Sequence, residues 1–68
     1  MSFREAQQYI GMDCEVAYRD RHGEIQTKRV FVVDVTFVPL YGICLITDCG
    51  EIRLDRIVNM SVQERKAA

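Results

Sequence analysis

A chain of 68 residues has room for one small domain. A domain of this size buries only about 60% of the surface that its unfolded chain exposes, so little stability is to spare. Nine Lys and Arg against ten Asp and Glu give a net charge of −1, which excludes the global positive field that drives non-specific nucleic-acid binding. A hydrophobic content of 49% is generous for this length, and we expect part of it to face another subunit.

The three cysteines, Cys14, Cys44 and Cys49, form neither a C-x-x-C pair nor a zinc-like Cys/His cluster. We interpret them as buried free thiols in a reducing cytoplasm, and we expect no metal and no cofactor. No signal peptide opens the chain, and no apolar run approaches the roughly 20 residues that span a bilayer. The sequence therefore indicates a soluble cytoplasmic protein without membrane contact.

The chain opens with a helix signal. Ser2-Phe3-Arg4-Glu5 has the form of a capping box, which predicts a helix over residues 2–11. Phe3, Ala6 and Ile10 recur at helical spacing and form its expected apolar stripe. Gly11 is suited to the left-handed conformation that ends a helix. Two turns are stable only when they are docked on a core.

Two strands follow. Cys14, Val16 and Tyr18 alternate with polar residues, which is typical of a strand with one buried face. A turn over 20–23 then closes a hairpin. The second strand is expected over 24–38, and its middle is apolar on both faces. It must therefore bend to serve two sheets, or lend one face to the helix or to a subunit.

The remaining elements are short. Turn residues at 39–42 precede a strand over 43–47, and turn residues at 48–50 precede a strand over 51–54. The last strand is expected over 57–62, with Val58, Met60 and Val62 on one face, and the tail 63–68 is expected to fray. The predicted fold is mainly β: one domain over 1–68, with a small five-stranded SH3-like or Sm-like barrel over 13–62 and a short N-terminal helix.

Several segments in this layout resemble the core of the WYL domain. They are Tyr18-Arg19-Asp20, Gly23-Glu24, Arg29-Val30, Gly42-Ile43-Cys44-Leu45 and Arg53-Leu54-Asp55-Arg56-Ile57. The resemblance covers roughly residues 14–62, and it implies an Sm-like barrel that senses a nucleotide or nucleic acid within bacterial transcriptional regulators. Where that family has Trp-Tyr-Leu, this chain has Ile43-Cys44-Leu45. The chain also resembles the small Sm-like inhibitor of the Rho terminator, which closes with R-L-D-[KR]-I and binds a protein.

Two groups of side chains are candidates for ligand or nucleic-acid binding. Arg53 and Arg56 could present guanidinium groups to phosphate, or Asp55 could pair with one of them and fix the turn. Around the first hairpin, basic residues lie near Tyr18 and His22 and form either a nucleic-acid surface or an ordinary solvated one. These basic residues are Arg19, Arg21, Lys28 and Arg29.

Tyr41, at the turn over 39–42, is a further candidate contact for a base or a partner, and packing over the end of the barrel is the alternative. His22 has no nucleophile placed beside it by a motif, and Asp48 and Glu51 do not form a recognisable acid/base pair. We therefore predict a protein that is not an enzyme.

Two hypotheses of function remain. The first is a non-enzymatic regulatory barrel, in transcription-related regulation, that binds single-stranded nucleic acid or a nucleotide-like ligand through Arg53, Arg56 and the first hairpin. The second is a protein-interaction module, either a homo-oligomer or an inhibitor of a nucleic-acid-handling protein, that docks through the strand Val30 to Val38. Replacing an outward apolar residue there, for example Val32→Glu, should dissociate an oligomer.

Overall fold

The computed structural model describes residues 1–63. It has one short helix, one turn of 3₁₀ helix and five antiparallel strands in a single sheet. The mainly β class, with five strands after an N-terminal helix, is confirmed. The elements are α1 (Phe3–Gln7), β1 (Asp13–Arg19), β2 (Ile25–Val38), β3 (Gly42–Thr47), β4 (Gly50–Arg53), the 3₁₀ turn (Leu54–Arg56) and β5 (Ile57–Val62).

The strands lie in the order β4-β3-β2-β1-β5. No backbone ladder joins β4 to β5 within residues 1–63, so the sheet is open where the sequence predicted a closed barrel. The 3₁₀ turn carries the chain from one end of the sheet to the other. Leu54, the first residue of this turn, is buried in the core and holds the turn in place.

A bulge bends β2. Val32 pairs with Thr47 and Asp34 with Ile46, so Val33 is one extra residue on this strand. Val30, Val32 and Val35 are buried, whereas regular alternation beyond Val32 would have turned Asp34 inward. The bulge therefore keeps the carboxylate of Asp34 out of the core and returns Val35 to it. Of the two alternatives that the sequence left open for this strand, a bend or a face lent to another element, the structure shows the bend.

Backbone groups at the bend are satisfied from two directions. The amide of Phe31 donates to Oδ1 of Asp48 at 3.0 Å, and the amide of Asp48 donates to the carbonyl of Phe31 at 3.2 Å. On the other side, Val32 donates to the carbonyl of Met12 at 3.0 Å and accepts from the amide of Gly11 at 2.8 Å. These bonds attach the segment after α1 and the β3–β4 turn to β2.

The helix is shorter than predicted. Its N-cap is confirmed, since the amide of Glu5 donates to Oγ of Ser2 at 3.2 Å, but regular helix ends at Gln7. Beyond it the chain tightens into turns, with the amide of Tyr9 bonded to the carbonyl of Ala6 at 3.1 Å. This change in winding rotates Ile10 off the predicted stripe, so Ile10 is exposed and Tyr9 packs on the core in its place. Within α1 itself, Ala6 is buried as predicted, whereas Phe3 is exposed.

A second bulge corrects the prediction for the last strand. Ala17 pairs with Asn59 and Tyr18 with Ile57, so Val58 is an extra residue on β5. Val58 is exposed, and Ile57 packs against the core in its place. The bounds of β5 are as predicted. The expected fraying falls largely on 64–68, which lie outside the described residues, while the amide of Gln63 donates to the carbonyl of Asp13 at 2.8 Å.

The core is one cluster of apolar side chains from every strand except β4, together with α1 and the 3₁₀ turn. Cys14 and Cys44 are buried free thiols, as predicted. The prediction is wrong for Cys49, which is exposed because it lies in the β3–β4 turn. Burial raises the pKa of the Cys14 thiol, with a smaller contribution from Asp13, and burial also raises the pKa of Cys44.

Candidate ligand-binding cleft

One cleft of about 480 Å³ lies between the β1–β2 hairpin and the segment from β3 to the 3₁₀ turn. Its walls therefore come from the two halves of the sheet. We call it the basic cleft, because basic side chains outnumber acidic ones among its lining residues. Those residues are Tyr18, Arg19, Asp20, Arg21, Lys28, Tyr41, Thr47, Cys49, Glu51, Ile52, Arg53 and Arg56.

Asp20 shapes the hairpin wall. Its Oδ1 accepts from the amides of His22 at 2.8 Å and Glu24 at 3.0 Å, and its Oδ2 accepts from Nε2 of Gln26 at 3.1 Å. Desolvation alone would raise the pKa of Asp20, but these hydrogen bonds, helped by the charge of Arg21, hold the pKa below its ordinary value. The carboxylate is thus occupied in holding the turn, which leaves the neighbouring cations available to a ligand.

Arg19 supports the same turn. Its Nη1 donates to the carbonyl of Gly23 at 3.2 Å. This bond adds to the hydrogen bonds by which Asp20 holds the turn. Gly23 has a φ of +81°, as its place in the predicted turn requires. The first basic residue of this wall therefore has a structural role in addition to its charge.

The opposite wall is built by the 3₁₀ turn. Residues three apart eclipse one another in a 3₁₀ helix, so Arg53, which caps the turn at its start, and Arg56, its last residue, both line the basic cleft. Leu54 between them points into the core. Nη2 of Arg53 pairs with Oδ2 of Asp55 at 2.8 Å, which is the structural interaction that the sequence offered as an alternative to ligand binding.

Arg53 still has unused donor capacity. Its Nε is buried and has no hydrogen-bond partner among residues 1–63, although the side chain as a whole is 36% exposed. A guanidinium has five donor hydrogens, and one ion pair at a partly exposed position contributes only about 0 to 1 kcal/mol. The ion pair with Asp55 is therefore weak enough to be exchanged for a stronger anion.

Three other cations of the basic cleft have no such engagement. In the part of the chain that the structure describes, Arg21, Lys28 and Arg56 make no side-chain hydrogen bond and no ion pair. Side chains of this kind lose rotamer freedom when they bind, but they need not first break a bond within the protein. They are the groups best placed to respond to an added anion.

The basic cleft also has an apolar part. Tyr18 and Ile52 are half-buried and pack against the core, which fixes their positions. Tyr41 is 55% exposed and lies on the β2–β3 turn, so its ring is open to solvent on at least one side. Thr47 holds the adjoining turn, because its hydroxyl donates to the carbonyl of Gly50 at 2.7 Å and accepts from the amide of Cys49 at 3.1 Å.

Six of the seven candidate binding residues line the basic cleft: Arg19, Arg21, Lys28, Tyr41, Arg53 and Arg56. Arg29 does not, because neighbouring residues of a strand point to opposite faces. Its Nη2 donates instead to Oε1 of Gln63 at 3.4 Å. That these residues bind a ligand stays a prediction.

Sequence reasoning did not include Thr47, Cys49 and Ile52 among the site residues. Cys49 had a usable signal, since it sits between Asp48 and Gly50 in a predicted turn and was therefore unsuited to the core. Ile52 had none, because an isoleucine on a short strand is as suited to the core as to a cleft. Its position follows from the way the 3₁₀ turn brings the end of β4 back toward β1.

Within residues 1–63, no group of three or more His, Cys, Asp or Glu side chains is arranged to hold a metal ion. Over the same residues, no helix is long and apolar enough to cross a membrane. Comparisons of the chain with protein families, with curated proteins and with solved structures find no match in any of the three.

Proposed function

We propose that this chain is a non-enzymatic regulatory module that binds nucleic acid or a nucleotide-like ligand in the basic cleft. The observation that carries the proposal is the gathering of five of the nine basic residues of a chain with net charge −1 around one cleft that also contains two tyrosines. Guanidinium and ammonium groups bind phosphate, and tyrosine rings stack on bases. A role in transcription-related regulation comes from the resemblance to the WYL core and is part of the proposal.

The proposal is tested by fluorescence polarisation. The probes are short single-stranded RNA and DNA with a 5′ phosphate and a 3′ fluorophore, titrated with protein at low and at physiological salt. We expect binding that weakens as salt rises, because phosphate contacts are screened. Arg56→Ala should weaken binding at least tenfold, since a charged hydrogen bond contributes roughly 1.5 to 3 kcal/mol and each 1.4 kcal/mol is about a factor of ten.

The chain supplies a matched control for this test. Lys28 and Arg29 are neighbours on β2, yet only Lys28 lines the basic cleft. Lys28→Ala should weaken binding, whereas Arg29→Ala, which removes the same charge from the other face, should leave it within about twofold. Equal losses in the two variants would indicate non-specific attraction, and an absence of binding to every probe would refute the proposal.

A protein-interaction module is the second candidate. It is favoured by the exposed apolar residues of the β2–β3 hairpin, of which Val33 is 53%, Phe37 67% and Leu40 99% exposed. Single exposed apolar residues are common, but several on one hairpin are typical of an interaction site. The two candidates differ in assembly state and in dependence on phosphate, so both are open to direct measurement.

A further inference from the structure

We infer that the ligand of the basic cleft is a single nucleotide with a terminal phosphate, a nucleoside monophosphate or diphosphate, and not a strand of nucleic acid. The inference rests on the proposed function and names the ligand class within it. It follows from where the charges of the chain lie, from the size of the cleft, and from the three cations of the cleft whose side chains make no bond to other residues of 1–63.

Most of the positive charge of the described residues is concentrated at the cleft. Seven basic residues fall within residues 1–63, and five of them line the cleft, so only Arg4 and Arg29 lie elsewhere. Nine acidic residues fall in the same range, and seven of them lie outside the cleft lining. A strand that extended past the cleft would bring its flanking phosphates toward a surface with an acidic excess.

Electrostatic attraction acts over a distance that is short compared with the size of the molecule. The molecule extends over 41 × 24 × 19 Å, while the Debye length at physiological ionic strength is about 8 Å. Attraction toward the cleft is therefore screened over most of the surface. Proteins that bind single strands without sequence preference use a basic groove that follows the backbone for several nucleotides. Two smaller depressions share Tyr41 with the basic cleft, but among residues 1–63 they contribute no basic residue that the cleft does not already have.

The size and lining of the cleft suit a compact amphipathic ligand. Its volume of about 480 Å³ lies in the usual range for small-molecule sites, which is about 300 to 1,000 Å³. Tyr18, Ile52 and Tyr41 give it an apolar and aromatic part, and the cations of the hairpin and the 3₁₀ turn give it an anionic subsite. A nucleotide has the same two parts, a flat base and a charged phosphate.

The unengaged cations favour a terminal phosphate. A phosphomonoester carries about 1.5 to 2 negative charges at pH 7 and three strong acceptor oxygens, whereas a phosphodiester within a strand carries one charge. Arg21, Lys28 and Arg56 offer three cations with no side-chain bond to other residues of 1–63. Three separate donors match three terminal oxygens better than they match one linking phosphate.

Isothermal titration calorimetry of the full chain tests the inference. The probes are inorganic phosphate, the four ribonucleosides, their 5′-monophosphates and diphosphates, and 5′-phosphorylated oligonucleotides of two, four and eight residues. We expect at least one monophosphate or diphosphate to bind at least tenfold more tightly than phosphate or its nucleoside. We also expect less than a threefold gain in affinity from the dinucleotide to the octanucleotide.

A threefold or larger gain with length, or a salt dependence that steepens with length, would overturn the inference and leave the proposed function standing, because the oligonucleotides would still bind. An absence of binding by every probe would overturn both. Binding by phosphate as tight as by any nucleotide would overturn the inference as well.

Variants separate the two parts of the cleft. Tyr41→Ala should reduce nucleotide affinity at least threefold without changing phosphate affinity, and Tyr41→Phe should restore it, because a ring and not a hydroxyl is required. Arg56→Ala should reduce the affinity for nucleotide and phosphate together. Arg29→Ala should change neither. Loss of both affinities in Tyr41→Ala, with the thermal transition unchanged, would contradict the assignment of the base to this ring.

Discussion

At the scale of single residues, Cys49 reports on the basic cleft. It is exposed and lies in the cleft lining, whereas Cys14 and Cys44 are buried and burial raises the pKa of both. Because the thiolate is the reactive form, the two buried thiols should be inert in the native protein. We expect a disulfide reagent such as DTNB to label one thiol per native chain rapidly, and three after unfolding.

Two controls complete this prediction. Cys49→Ser should abolish the rapid phase, and a nucleotide bound in the cleft should slow that phase in the wild-type chain. Rapid labelling of two or three thiols in the native protein would contradict the burial of Cys14 and Cys44.

The stability of the fold should depend on pH through Asp20. Hydrogen bonds from Gln26, Glu24 and His22 lower its pKa in the folded protein below the ordinary value of 3.8. A lowered folded pKa means that the ionised form stabilises the fold at pH values above 3.8, and that this stabilisation is lost as pH falls through the folded pKa. The affected element is the hairpin that forms one wall of the cleft.

We therefore expect Asp20→Asn to lower the free energy of unfolding at pH 7, and the gap between variant and wild type to narrow as pH falls below 3.8. Urea unfolding of both proteins at neutral and acidic pH measures the gap. An NMR titration that placed the Asp20 carboxyl at or above its ordinary pKa would refute the explanation.

At the scale of elements, regular alternation was predictable and its interruptions were not. The pattern of Cys14, Val16 and Tyr18 gave β1 correctly, because one buried face imposes a period of two. The bulge residues Val33 and Val58 escaped prediction, because each is a β-branched residue that fits a regular strand equally well. Which residue is extra depends on the partner strand, which is a property of the fold.

For the candidate site too, local features were predictable from the sequence and long-range ones were not. The pair Arg53 and Arg56 was readable from the sequence, since their spacing around Leu54 is local. That Lys28 would join them and Arg29 would not depends on the register of β2 against β1, where Lys28 pairs with Val16. Long-range register of this kind is fixed by packing across the whole sheet.

The β2–β3 turn carries local strain. The amide of Tyr41 donates to the carbonyl of Val38 at 3.1 Å, and Leu40 at the third position of this turn has a φ of +76°. With Pro39 before it, this is the arrangement of a type II turn, whose third position favours Gly or Asn. A left-handed conformation costs a residue with a Cβ atom about 1 to 2 kcal/mol, and Leu40 is 99% exposed, so no burial offsets the cost.

We expect Leu40→Asn to raise the free energy of unfolding by about 1 kcal/mol, because asparagine tolerates this conformation. Leu40→Ala is the matched control: it removes the same exposed side chain but lacks the side-chain amide that lets asparagine tolerate the left-handed conformation, so it should change stability little. Urea denaturation measures both variants. A gain in Leu40→Ala equal to that in Leu40→Asn would show that the exposed side chain, and not the turn, is the source of the effect.

At the scale of the whole molecule, the exposed apolar residues of the β2–β3 hairpin are the surface on which the proposal of a protein-interaction module rests. The sequence suggested Val32→Glu as a test of assembly, but Val32 is fully buried and its replacement by a charge would unfold the domain. Val33 is the outward residue of the bulge and is the appropriate position.

If the chain assembles with itself through this hairpin, Val33→Glu should convert the oligomer to a folded monomer, as measured by light scattering with size-exclusion chromatography and by circular dichroism. Val58→Glu is the control, because Val58 is also an exposed bulge residue but lies on β5, which is separated from β2 by β1 in the sheet. A wild-type monomer at all concentrations, or dissociation by both variants alike, would contradict assembly through the hairpin.

The extra residue in β2 has a consequence for how relatives of this chain are to be aligned. Deleting Val33 would restore an unbroken ladder and would leave both faces of the strand as they are, because Val32 would still point inward, Asp34 outward and Val35 inward. A single-residue gap at Val33 is therefore compatible with an unchanged polar and apolar pattern downstream. A one-residue insertion or deletion at a regularly paired position of β2 would exchange the two faces of the rest of the strand, so such changes should be absent from functional descendants of this sequence.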